Sequence, residues 1–193
     1  EGRVVGWGNN NYGRTNIPNG LSNVVVIAAR RSYNLALTAE GRVVGWGRND
    51  YDQTNIPSGL NNVAAIAAGW NHSLALTAEG RVVGWGSNGT GQTNIPSGLS
   101  NVVAIAAGGQ HSLALTAAGR VVGWGLNDVG QTTIPSGLTN MVAIAAGFVH
   151  SLALTAEGRV VGWGRNTYGQ TNIPSGLGNV VAIAAGFVHS LAL

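Results

Sequence analysis

The chain has no cysteine and no lysine, and only 9% of its 193 residues are charged. Without cysteine there are no disulfides and no thiolate-ligated metals, and the redox compartment is left undetermined. All ten basic residues are arginine, set against seven acidic ones. A net charge of +3 does not call for a nucleic-acid or membrane partner. No apolar run approaches the roughly 18 residues that span a bilayer as a helix, and no stretch keeps a 3.6-residue period that would mark an amphipathic helix. Glu1 opens the chain in mid-motif, so we expect any leading segment to lie outside it.

What is present is glycine, 31 residues of it, in a chain that is 45% apolar. Such a composition describes a folded, turn-rich protein rather than collagen or a disordered segment. The stretch GRVVGWG recurs unchanged at 2–8, 41–47, 80–86, 119–125 and 158–164. Trp7, Trp46, Trp85, Trp124 and Trp163 are each 39 apart, and His72, His111, His150 and His189 keep that spacing. A fixed period of this length marks an array of units that bury their apolar faces against one another. Within residues 101–139, four short β-branched and Leu-rich segments alternate with Gly, Asn, Ser and Pro turns, which reads as four antiparallel strands.

The fold expected is all-β, a β-propeller of five four-stranded blades within a single domain, 1–193. The ring would close by pairing residues 179–193 with 1–18 in one blade, leaving no exposed edge. In such a blade the loops after strands one and three emerge on one face. The letters that drift between copies fall in those two loops, whereas the opposite turns, Thr-Ala-Glu-Gly and Pro-Ser-Gly-Leu, stay nearly constant.

Trp85-Gly86-Ser87-Asn88-Gly89-Thr90-Gly91-Gln92 and Gly108-Gly109-Gln110-His111-Ser112-Leu113-Ala114-Leu115 resemble the repeat motifs of the regulator of chromosome condensation superfamily. The short period and the Gln-Thr-x-Ile-Pro ending look closest to the bacterial branch that includes β-lactamase inhibitory protein II. The resemblance covers the whole chain and implies a propeller. It also implies seven blades as the usual number, from which five copies depart. An enzyme inhibitor is one function it suggests.

No catalytic set is expected. Adjacent His and Ser on a strand point to opposite faces, so the repeated His-Ser pair is not a base and its nucleophile. The His residues are read as bonding loop backbone in their own blades rather than holding a metal, and no metal or cofactor is expected. Gly84-Trp85-Gly86-Ser87-Asn88-Gly89 spells a dinucleotide fingerprint, but no helix follows to hold a phosphate. The five GWG tryptophans are read as packing between blades.

The variable loops carry the residue types that dominate protein interfaces, aromatics and arginine. Trp70, Phe148, Phe187, Tyr33 and Arg31 are the expected central anchors of a protein-binding face. Arg30, Tyr12, Tyr51, Tyr168, Arg48 and Arg165 would extend it. Asp50, Asp52 and Asp128 offset the arginines there and argue against nucleic acid. Two alternatives are a structural or engineered, recently amplified scaffold without a ligand, and a carbohydrate binder using the constant Asn10, Asn49, Asn88, Asn127 and Asn166. A monomer is expected, with blades completed between chains as the other arrangement.

Overall fold

A computed structural model describes residues 2–193. Four sheets repeat one plan: β1 (Val24–Arg30), β2 (Tyr33–Thr38) and β3 (Val43–Gly47); then β4 (Val63–Ala68), β5 (His72–Thr77) and β6 (Val82–Gly86). The third holds β7 (Val102–Ala107), β8 (His111–Thr116) and β9 (Val121–Gly125). The fourth holds β10 (Met141–Ala146), β11 (His150–Thr155) and β12 (Val160–Gly164), and a last hairpin joins β13 (Ile183–Ala185) to β14 (Ser190–Ala192). Every sheet is antiparallel in chain order. Each blade opens at an Asn in the left-handed region, Asn62 at φ 51° for example, a conformation Asn tolerates. A register shift follows between Val63 and Ala65, repeated in the other blades.

The sheets are three-stranded, not four-stranded. Backbone groups of the Gln-Thr-x-Ile-Pro segment are engaged elsewhere: Thr54 N–H bonds Asn49 Oδ1 at 2.9 Å, Asn55 N–H bonds the Asp52 carbonyl, and Pro57 has no N–H to give. The segment nonetheless presses on the third strand. A Cβ on Gly45 would lie 3.0 Å from the Thr54 backbone, so the first glycine of GWG makes room for it.

The core lies between blades rather than inside any one of them. Leu35, Leu37 and Val43 pack with Val63, Ile66 and Trp85 of the next sheet, and equivalent clusters join the second to the third and the third to the fourth. This is the nearest-neighbour stacking that a repeat array requires.

The two termini are not joined by a ladder. β14 pairs with β13 alone, and residues 2–8 form no strand. Each half sits correctly on its own neighbour: Val24 N–H donates to the Gly2 carbonyl, as Val63 N–H does to Gly41. Trp46 Nε1 donates to the Arg14 carbonyl. Trp7 is 85% exposed, whereas the four later GWG tryptophans are buried.

Candidate functional site: an aromatic cluster at the convergence of the loops

At the seams built on Gln53, Gln92 and Gln131 the same polar stitch recurs. Ser112 Oγ donates to the Gln92 carbonyl at 2.8 Å and Trp124 Nε1 donates to that carbonyl at 2.9 Å. Because its proton is committed there, Ser112 accepts from His72 Nε2–H of the preceding blade, 3.1 Å away. His111 and His150 do the same with Ser151 and Ser190. The histidines thus bond side chains of the next blade, not the loop backbone of their own. His72, Ser112, His111 and Ser151 have no solvent exposure, and each serine proton points away from the imidazole. Burial drives the His72 pKa down to about 3 and that of His111 to about 4, with neighbouring histidines and Arg30 adding to the shift. These are neutral structural rings.

Tyr33 takes the histidine place in the first blade. It is wholly buried, its hydroxyl donates to the His72 carbonyl, and Ser73 Oγ lies 3.1 Å away. Burial pushes its hydroxyl pKa upward. Tyr33 therefore cannot be the surface anchor expected from the sequence. The 39-residue spacing sets Tyr33 in the histidine column, but the burial of that column is a tertiary feature that the spacing does not show.

The loops after strands one and three share a face, and hydrogen bonds link them directly. Ser87 N–H donates to the Asn71 carbonyl, and Thr90 Oγ1 lies 3.2 Å from the Gln110 carbonyl of the next blade. The loops after the first strands also hold one another: Trp70 N–H reaches the Gly108 and Gly109 carbonyls, Gly109 N–H the Phe148 carbonyl, and Phe148 N–H the Gly186 carbonyl. This chain of bonds draws side chains from distant repeats together. Phe148 and Phe187 stack with centroids 4.3 Å apart, and Trp70 meets Phe148 edge-on at 4.1 Å. Trp70 and Phe187, three repeats apart in sequence, are 6.0 Å apart. The Arg31 guanidinium covers Trp70 at 4.4 Å.

Gly109 belongs to the same repeat column but was not among the expected anchors. A Cβ there would fall 2.5 Å from the Phe148 carbonyl oxygen and 2.6 Å from its ring. The missing side chain is what lets Phe148 reach Trp70. Arg31, Trp70, Gly109, Phe148 and Phe187 are a fitted set, and the sequence signal for it was one glycine among aromatics at a single repeat position.

Arg30 lines a cavity beside this cluster, and the remaining expected residues lie apart from the cluster. Arg48 pairs with Asp50 at 2.6 Å and lies 5.2 and 5.7 Å from the rings of Tyr12 and Tyr51. Arg14 joins them, 5.7 Å from Tyr12, and its Nη1 donates to the Arg31 carbonyl. Tyr168 is exposed, and Arg165 bonds Thr167.

Among known proteins, the family model for the regulator of chromosome condensation (RCC1) repeat matches residues 24–53, 63–92, 102–131 and 141–170. The chain belongs to the RCC1 repeat family. Each match spans the three strands and the following Gln of one blade, ending on Gln53, Gln92, Gln131 or Gln170, the residues whose carbonyls anchor the seams. Among solved structures it is similar to Prp20p of Saccharomyces cerevisiae, with TM-score 0.75 and 23% identity over 90% of this chain and 57% of that one. Human WBSCR16 aligns with TM-score 0.78 and 22% identity over 96% and 65%. The ectodomain of the Physcomitrella patens receptor kinase CR4 aligns with TM-score 0.74 and 29% identity over 89% and 49%. The chain thus spans about half to two-thirds of the length of these solved proteins. Comparison with curated protein sequences finds no match.

Proposed function

We propose that the protein is a non-enzymatic binding module that holds a protein partner on its variable-loop face, with Trp70, Phe148, Phe187 and Arg31 at the centre of the contact. The observation that carries this reading is the aromatic cluster itself. Phe187 is 58% exposed beside a half-buried Trp and Phe, and protein interfaces use such rings as anchors. Prp20p is described with its binding to Gsp1p and histones, and with Kap60 bound to it. From those relatives we carry over only the use of the fold for protein binding. An enzyme-inhibitor interaction of the β-lactamase inhibitory protein II kind is the concrete version the motifs suggest. The buried seam pairs, with each serine proton committed to a carbonyl, supply no nucleophile for catalysis.

We place this face on a disc whose last blade combines residues 179–193 with 1–18 of the same chain. The register follows from the other blades: His72 faces Gly86 and Leu76 faces Val82, which by the 39-residue shift sets His189 opposite Gly8 and Leu193 opposite Val4. The Gln170 carbonyl receives Ser190 alone, while Gln53, Gln92 and Gln131 each receive a tryptophan as well. Trp7 is the donor that would fill that place.

The binding reading is tested by measuring a captured partner's Kd for the Trp70→Ala, Phe148→Ala, Phe187→Ala variant. The expected loss is at least about 100-fold. Glu79→Ala with Glu157→Ala, on the constant-turn face, should leave Kd unchanged. Phe187→Ala alone, at an exposed ring, separates lost contact from lost folding. An unchanged Kd in both aromatic variants overturns the reading.

A further inference from the structure

Beside the aromatic cluster lies a cavity of about 580 Å³ walled by Arg30, Arg31, Trp70, Phe148, Gly186 and Phe187. Its chemistry is uneven. Three aromatic residues and two arginines line it, and no carboxylate does. Ion pairs among the described residues join only Arg48 to Asp50 and Arg159 to Glu157. Arg30 therefore stands as a half-buried cation without a counter-ion, and burial lowers its pKa. Its titratable neighbours are Tyr33, which stays protonated, and the seam histidines, which stay neutral, so none of them supplies a negative charge.

A second polar group is also unmatched. Trp70 Nε1 is buried and has no acceptor among the described residues. Buried donors normally have partners, and a desolvated cation is costly until an anion meets it. An aromatic wall beside an unmatched guanidinium suits a ligand that presents an apolar body and a carboxylate together.

We infer that this cavity is a carboxylate pocket, and that it receives from the protein partner an acidic side chain flanked by an aromatic or aliphatic one. This rests on the protein-binding reading for the face but concerns the chemistry of one pocket within it. On the outer loops one arginine is already matched: Arg48 is held by Asp50 at 2.6 Å.

The probe is a small molecule with the two features, N-acetyl-phenylalanine, compared with its neutral amide. Binding is followed by the indole N–H resonance of Trp70, assigned by its loss in Trp70→Phe. For a probe of this size a Kd on the order of 1 mM is expected. The acid should shift that resonance saturably and bind about tenfold more tightly than the amide. Arg30→Gln should abolish the preference, with Arg31→Gln as the second variant and Arg159→Gln, on an exposed turn, as a control that retains it. Equal binding of acid and amide, or no saturable shift from either, overturns the carboxylate pocket. Neither result touches the alanine test of the protein-binding face, so the two readings fail separately.

Discussion

At the scale of single residues, the account turns on which variation is free and which is fitted. Gly89 and Gly109 both sit in drifting loops. A Cβ on Gly89 meets nothing within 4 Å, whereas one on Gly109 collides with the Phe148 backbone and ring. Gly109→Ala should therefore destabilise by about 1–3 kcal/mol and pull Phe148 away from Trp70. Gly89→Ala should be neutral or slightly stabilising, because it narrows the unfolded ensemble without strain. Urea unfolding of the two variants measures the difference, and equal midpoints would show that the axial column is not packed as described. This distinction was not legible in the sequence. Drift at Arg31, Trp70, Gly109, Phe148 and Phe187 looks the same whether the side chains ignore or touch one another, and only the curvature of the array brings them together.

At the scale of the element, the blade seams depend on histidines that must stay neutral. An unfolded histidine titrates near 6.5, whereas His72 and His111 in their seams hold out to about 3 and 4. As the pH falls below about 6.5 the unfolded chain takes up protons that the folded chain refuses. Stability therefore declines through that window, by at most about 1.4 kcal/mol per unit for each such histidine, until roughly pH 3 to 4. The urea midpoint should fall between pH 7 and pH 5, and a flat midpoint would contradict the buried seam. Much of the blade was readable beforehand. The HSLALT segments and the last four GRVVGWG segments contain strands, the constant turns oppose the variable loops, and the last four GWG tryptophans pack between blades, whereas residues 2–8 form no strand and Trp7 is exposed. The expected fourth strand was not realised, because Asn49 and the Ser73 and Trp85 side chains engage the backbone that a ladder needs. Those are tertiary contacts, invisible to a periodicity of two. The histidines' partners lay 40 residues away, beyond any local pattern.

At the scale of the whole molecule, the central claim is that one chain winds its repeats round one axis and gathers its variable loops into one working face. The open side of the structure bears on this directly. Ile27 is 62% exposed and its repeat equivalent Ile66 only 9%, while Trp7, Leu191 and Leu193 are also exposed. Burying such side chains stabilises by roughly 1.5–3 kcal/mol each, so the unjoined halves have a strong drive to meet. Pairing residues 3–8 with β14, as proposed, would satisfy that drive within one chain and complete the rim around the aromatic cluster. Sedimentation equilibrium of the 193-residue chain is the most direct test. The account predicts the mass of one chain, 19.6 kDa, independent of concentration. A defined oligomer, or a mass that climbs with concentration, would mean that the half-blades are completed between chains and that no single chain owns the face.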